Sequence, residues 1–432
     1  MSFTIGIRRE DKNKWERRVS ITPEHVNELK EKHDVNTIVQ PSEIRIFKEE
    51  EYKKNGATIS EDLADANVIF AVKEIPSSFF QKNKTYVFFS HTIKGQDYNM
   101  PMLKKMMELG CNLIDYEKIA DEKGRRLVFF GRYAGIAGMI DTLWAFGKRL
   151  EWKGIKTPFS EIKKTIEYNS LEDAKNHIRY IGQQIKEEGI PEQLAPIVIG
   201  FAGYGHVSSG AQEILDVLPV EEIGPGQLEA IHDHHAEGVV YKVVFKEEDM
   251  VEPVSSESKF NLQEYYKKPH LYRSIFPQYI RRLSVLMNCI YWDERYPRLF
   301  TKDFLEENFT GLMKLQVVGD ISIDINGAIE FTEKSTMPDS PVYVYNPVRR
   351  DVIDGYKGKG VIVMAVDNLP CELPKESSIA FSNSLINFVP SIAKADYNVD
   401  FQMLKLPEEI KKAVILYHGK LTPEYQYIKE FL

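Results

Sequence analysis

Residues 195–218 read APIVIGFAGYGHVSSGAQEILDVL, and the fold turns on how they are read. An apolar run, Ile197 to Ala202, is followed by Gly203, Tyr204 and Gly205, then by a segment with helical apolar spacing. That is a strand, a tight glycine turn and a helix, the order in which a dinucleotide-binding unit is built. The first glycine permits the turn. The second leaves bare backbone for a pyrophosphate at the helix N-terminus, and a small residue at the sixth position lets helix pack on strand. That sixth position is Ser208, with Gly210 two residues on. Gly203, Gly205, His206, Val207, Ser208 and Gly210 are therefore the candidate cofactor-binding residues of the turn. The competing reading is a plain strand–helix turn.

The second strand of such a unit is expected in PVEEIGPGQ, residues 219–227. An acid at its tip would bind the ribose diol of NAD. Glu221 and Glu222 lie inside the run, and the tip is Gly224-Pro225. With no acid at the tip, NADP(H) is favoured and NAD(H) is the alternative.

Outward from the turn, the first third of the chain alternates strand-like and helix-like segments, so a mostly parallel sheet covered by helices is expected. TPEHVNELKEKH reads as a helix with Thr22 as N-cap and Pro23 at its first position. GRYAGIAGMIDTLWAFGKRLEWKG, residues 131–154, reads as one long helix whose small residues admit close backbone contact. A helix in SSIAFSNSLINFV, residues 377–389, returns to the first domain. The expected domains are 1–130 with 375–432, for substrate, and 131–374, for the dinucleotide. Residues 246–262 are the candidate mobile loop.

A chain of 432 residues exceeds one ordinary core, so two domains are expected. The formal net charge of -8 argues against a nucleic-acid partner. Cys111, Cys289 and Cys371 are far apart and show neither metal spacing nor a disulfide framework. His232, Asp233, His234 and His235 are consecutive and cannot easily converge on one tetrahedral ion, so no metal is assigned. The N-terminus lacks the plan of a signal or transit peptide and no run of about 18 apolar residues occurs, so a cytoplasmic protein is expected.

The chemistry-bearing residues follow strands. Lys73 follows VIFAV, His91 lies in VFFSHT, and Glu117 lies in LIDYEKI. Strand ends are where an open parallel sheet binds its ligands. A desolvated lysine beside a histidine is a proton-transfer pair. RREDKNKWERRVSITPEHV, residues 8–26, holds Arg8, Arg9, Arg17 and Arg18, and a second group holds Arg125, Arg126 and Arg132. Guanidinium groups in an acidic protein suit a carboxylate-rich ligand. Asp320 and Asp324 follow one apolar strand, and Asp367 and Asn368 another, where they would cap backbone or face the nicotinamide ribose. The bland alternatives are a snorkelling lysine, a structural histidine and solvated turn charges.

Taken together, RREDKNKWERR, KTYVFFSHTIK, LIDYEKIADEKGRRLVFFG, AGIAGMI, GYGHVSSGAQ, GDISIDINGAIEF and VDNLPCELP carry a resemblance along nearly the whole chain. It resembles the lysine-ketoglutarate reductase half of animal aminoadipic semialdehyde synthase, then fungal lysine-forming saccharopine dehydrogenase, then alanine dehydrogenase and transhydrogenase. The resemblance implies two Rossmann-like, doubly wound α/β domains with a cleft between them. It implies reduction of the imine between lysine and 2-oxoglutarate to saccharopine, by NADPH in the animal type and NADH in the fungal type. By resemblance, Lys73 and His91 are the acid–base pair, Arg18 and Arg126 hold substrate carboxylates, and Glu16 and Glu117 tune the pair. Phe130 lines the pocket, and Asp324 lies near the nicotinamide. The chain ends at Leu432, so a separate saccharopine-cleaving enzyme is the expected partner. Val207 stands where the fungal form has cysteine, so no regulatory thiol is expected there. A monomer or homo-oligomer, an amino-acid dehydrogenase of the alanine type, and an inactive cofactor-binding sensor all stay open.

Overall fold

Strands two to six residues long, most of them apolar runs, pair into two eight-stranded sheets, one in each of two units. The structure, a computed structural model, describes residues 3–309 and 313–432. Unit 1 comprises Met1–Phe130 and Pro374–Leu432, and unit 2 comprises Gly131–Leu373.

The strands of the first segment are β1 (Phe3–Ile7), β2 (Val35–Val39), β3 (Thr58–Ile59), β4 (Val68–Phe70), β5 (Thr85–Phe88) and β6 (Asn112–Asp115). Unit 2 adds β7 (Ile197–Ala202), β8 (Val220–Ile223), β9 (Val240–Phe245), β10 (Val251–Pro253), β11 (Tyr272–Ser274) and β12 (Val285–Asn288). It continues with β13 (Val317–Asp320), β14 (Val342–Asn346), β15 (Asp351–Asp354) and β16 (Val361–Met364). The chain then returns to unit 1 for β17 (Val414–Tyr417) and β18 (Lys420–Leu421).

In unit 1 the order is β18-β17-β6-β5-β4-β1-β2-β3. The run from β6 to β3 is parallel, and β17 and β18 close one edge antiparallel. Every residue of β4, β5 and β6 is buried, as a parallel sheet covered on both faces demands. The helix Pro23–His33 starts where the sequence predicts, although the Thr22 side chain makes no capping hydrogen bond. The helix Pro374–Leu385 packs Phe381 and Leu385 into this core.

In unit 2 the order is β15-β14-β16-β13-β12-β7-β9-β8, parallel from β16 to β8. The helix Gly131–Trp152 lies against His206–Leu215. A Cβ on Gly135 would stand 1.9 Å from the Val207 carbonyl oxygen, and one on Gly210 would stand 2.0 Å from that of Arg132. Both positions are therefore glycine so that the two backbones can touch.

Two sequence expectations fail here. The strand beside β7 is β9, and the 220–223 strand is pushed to the sheet edge, where it pairs with β9. Residues 246–262 are not a structureless loop: they hold a short helix, Glu247–Met250, and β10, which pairs with β11. No helix among the described residues is long and apolar enough to cross a membrane.

Candidate active site

In unit 1 the chain runs outward from β1 in both directions, to β2 on one side and β4 on the other. At such a switch point the strand ends splay and leave a crevice. The segments leaving β1, β4, β5 and β6 bring residues 8–18, Lys73 and Glu74, His91, and Glu117 to the same edge in the order of the strands.

Arg18 is 2% exposed and donates through Nε and Nη2 to the two carboxylate oxygens of Glu16, at 2.8 and 2.6 Å. Its guanidinium lies 4.2 Å from the Phe130 ring centroid, and that ring stacks on Phe381 at 4.4 Å. Phe89 joins this aromatic floor to the rest of the site. Its ring is 6.1 Å from Phe130, 6.2 Å from the His91 ring and 5.9 Å from the Arg126 guanidinium. The Arg18 head is thus fixed by a two-point ion pair and a ring face, the geometry arginine is suited to. Arg126 is exposed.

His91 has a left-handed backbone, φ 49°, uncommon outside glycine. Its Nδ1 lies 2.6 Å from Glu74 Oε1, and Lys12 Nζ lies 3.0 Å from Glu74 Oε2. Burial pushes the Glu74 carboxyl up, but the hydrogen bond and charge of His91, with Lys12, prevail and hold it well below the usual carboxylate range. Burial lowers the Lys73 ammonium, helped by the charges of Arg18 and Lys12, and Glu74 and Glu16 oppose the shift. Lys73 is therefore closer to the neutral form than a surface lysine.

The backbone under these groups is clamped by buried acids. Glu10 accepts from the Val72 and Lys73 amides at 2.7 and 3.0 Å. Burial and the charge of Glu16 push its carboxyl up to about 7. Asp115 accepts from the Ser90 amide at 3.0 Å, from Ser90 Oγ, and from the Glu117 amide at 2.8 Å, tying the ends of β5 and β6 together.

Sequence reasoning treated the N-terminal arginines as one group, and the structure separates them. Arg8 pairs with Asp11, Arg9 takes both oxygens of Glu61 at 2.8 Å, and Arg17 donates to the Ile44 carbonyl. Arg125 pairs with Asp121 and Arg132 with Glu213. The acids whose charges oppose the Lys73 shift are Glu74 and Glu16; Glu16 was expected there together with Glu117, and Glu74 was not. Glu74, Glu10, Asp115, Phe89 and Phe381 were missed. Only Glu74, next to Lys73 at a strand end, carried a signal that could have been read.

In unit 2, Gly203 has φ 90° and its amide bonds to the Phe245 carbonyl at 3.0 Å. An added Cβ on Gly205, the N-cap of His206–Leu215, would meet nothing within 4 Å, so the backbone there is open to a ligand. His206 is exposed, Val207 turns its carbonyl to Gly135, and Ser208 is fully buried with Oγ taking Gln212 Nε2 at 2.9 Å. Gly210 serves helix packing rather than a ligand. Asp324 follows β13, and Asp367 and Asn368 follow β16, along the same carboxyl edge as the turn. Asp320 is buried and accepts from Asn288 Nδ2 at 2.9 Å and from Thr332, so it braces the loop. A positive-φ glycine, an uncovered one and a ten-residue helix behind them fit a dinucleotide pyrophosphate.

Comparison with known proteins gives the family and the fold. The family profile "Alanine dehydrogenase/PNT, N-terminal domain" matches residues 6–137, and "Alanine dehydrogenase/PNT, C-terminal domain" matches residues 291–424. The chain is 37% identical to alpha-aminoadipic semialdehyde synthase of Arabidopsis thaliana, over 98% of this chain and 41% of that protein. It therefore spans less than half the length of that relative. It is 27% identical to the NAD(+), L-lysine-forming saccharopine dehydrogenase of Neurospora crassa, over 94% of this chain and 99% of that one. Among solved structures an L-alanine dehydrogenase matches with TM-score 0.62 and 18% identity, over 99% of this chain and 100% of that one, a likeness of fold.

Proposed function

The chain belongs to the alanine dehydrogenase/PNT family, and from that premise we propose that it condenses L-lysine reductively with 2-oxoglutarate to give saccharopine, or runs the reverse reaction. Unit 1 carries the acid–base and carboxylate-binding groups, and unit 2 binds the nicotinamide dinucleotide through Gly203, Gly205, His206, Val207 and Ser208, with Asp324, Asp367 and Asn368 further along that edge. The observation that carries the reading is the strand-end set of unit 1: a desolvated Lys73, a His91 anchored at 2.6 Å by Glu74, and an Arg18 fixed by Glu16 on the Phe130 ring.

The bound dinucleotide supplies the hydride, and the side chains of unit 1 do the rest. Arg18 and Arg126 hold substrate carboxylates, and Phe130 packs the aliphatic stem. Lys73, biased toward the neutral amine, takes a proton from the lysine ε-ammonium so that the amine can attack the keto carbon. His91, oriented by Glu74, delivers a proton to the carbinolamine hydroxyl, which leaves as water. One proton goes onto Lys73 and one comes from His91, so the product forms as a neutral secondary amine that takes its own proton from solvent, and the pair is reset when the proton on Lys73 passes to His91 directly or through water. Two groups of different basicity suit these two transfers, and fixing both substrates supplies rate by orientation.

A cytoplasmic setting belongs to the same reading, and it is supported by Cys111, Cys289 and Cys371 being free thiols rather than disulfide partners. The test is to mix purified protein, reduced nicotinamide cofactor, lysine and 2-oxoglutarate and follow cofactor absorbance. Oxidation that requires both substrates supports the reading, and its absence with NADH and with NADPH overturns it.

A further inference from the structure

His91 follows β5 with a left-handed backbone, which a residue other than glycine keeps only where its surroundings hold it. On one side the hold is plain. The Ser90 amide donates to Asp115 at 3.0 Å, and Thr92 Oγ1 lies 2.8 Å from Ser90 Oγ. On the other side the chain turns at once. The Gly95 amide donates to the Thr92 carbonyl at 3.0 Å, and Asn99 Nδ2 donates back to the His91 carbonyl at 3.2 Å.

That turn is gripped by a part of unit 1 far along the chain. A 3-10 helix, Pro423–Phe431, follows β18 and is anchored by the buried side chains of Tyr425 and Ile428, with Tyr425 Oη donating to the Lys412 carbonyl at 2.7 Å. From this helix Tyr427 Oη donates to the Ile93 carbonyl at 2.8 Å. The Phe431 ring lies so close over Gly95, φ 67°, that a Cβ there would stand 2.3 Å from ring Cγ. Tyr427 and Phe431 are both exposed, so the core does not require them. What they touch is the turn that begins one residue after His91.

We propose that Tyr427 and Phe431 are positioning residues for the reaction: by gripping the 92–95 turn they hold the His91 backbone left-handed, the conformation from which its ring reaches Glu74. The inference rests on the reading of His91 as the proton donor and extends it. Neither residue contacts substrate or cofactor in this role; each acts through His91. A turn closed by a single glycine hydrogen bond opens easily, and two contacts from an anchored helix suppress that opening. A donor displaced by about 1 Å loses much of its effect.

Hydrogen exchange and kinetics of the whole chain test the proposal together. Tyr427→Phe removes one hydroxyl and Phe431→Ala removes the ring. Peptides spanning residues 91–99 should exchange faster in both variants than in the wild type. In both, kcat should fall about tenfold or more, while KM for each substrate and the affinity for reduced cofactor change by less than about twofold. Phe431→Tyr, which keeps a ring over Gly95, should restore most of kcat. In a His91→Gln background, Tyr427→Phe should cost nothing further, because both losses run through one side chain. Unchanged exchange, an undiminished kcat, or a loss that adds in full to that of His91→Gln overturns the positioning role and leaves the reaction intact. A wild type that turns over no lysine with 2-oxoglutarate overturns the reaction and this role with it. Circular dichroism separates a displaced turn from a lost fold, and Tyr427→Phe, a surface change of one atom, keeps the test open if Phe431→Ala does not fold.

Discussion

His91 Nδ1 and Glu74 Oε1 stand 2.6 Å apart at the carboxyl edge of the unit 1 sheet, on segments that leave two neighbouring parallel strands, β5 and β4. The contact fixes the imidazole by its inner nitrogen and leaves Nε2 as the ring atom for a substrate. Glu74 stays ionised because His91 and Lys12 outweigh its burial. A lowered carboxyl pKa contributes stability that is complete above its unfolded value and lost only as the pH falls through the folded one. The contact therefore persists through neutral and mildly acidic solution.

Replacing Glu74 with Gln keeps the shape and removes the charge that orients the ring. Turnover should fall about 10²-fold, the lower range of what a positioned acid or base supplies. The affinity for reduced cofactor, measured by fluorescence, should stay within error, because the change lies in unit 1.

Arg18 tests carboxylate binding. Arg18→Lys keeps a positive charge but loses the two-point bond to Glu16 and the flat stack on Phe130. KM for 2-oxoglutarate or for lysine should rise about tenfold or more, with a smaller change in kcat. Initial-rate kinetics with one substrate varied at a time will show which carboxylate Arg18 holds.

A buried acid pair in unit 2 gives a prediction about stability alone. Asp141 and Glu372 lie carboxyl to carboxyl, 0% and 6% exposed. Burial, then the charge of Asp141, raises Glu372 well above 4.5, and burial raises Asp141 to about 6. Both shifts are upward, so the folded pair holds its proton more tightly than the unfolded chain does. Stability therefore falls as the pH rises through the folded values. Glu372→Gln places an amide donor beside Asp141 and removes one of the two titrating carboxyls. Between about pH 5 and pH 8 its Tm should decline less steeply than that of the wild type, in thermal melts at matched ionic strength.

Much of this was legible because it rests on local chemistry. The turn at Gly203 to Gly205, the buried runs of β4 to β7 and the strand-end places of Lys73, His91 and Glu117 all follow from apolar runs punctuated by glycine and polar turns. What was not legible depends on pairing across the chain. Nothing within residues 219–245 says that 240–245, rather than 220–223, takes the place beside β7; that order is set by which strand can be buried on both faces, and Glu221 and Glu222 are exposed. In the same way, four arginines within eleven positions look alike until Glu61, Asp11 and the Ile44 carbonyl claim three of them. Phe381, which stacks on Phe130, comes from 251 positions further along the chain and could be found only in the folded unit.

The most direct measurement is the oxidation of reduced nicotinamide by the purified chain, with lysine and 2-oxoglutarate present, compared with its Lys73→Met variant and with ammonia in place of lysine. The expected result is oxidation that needs both lysine and the keto acid, a loss of about 10²-fold or more in Lys73→Met with cofactor binding retained, and little rate with ammonia. Equal rates with ammonia, or a Lys73→Met variant as fast as the wild type, would contradict a lysine-condensing site built around Lys73.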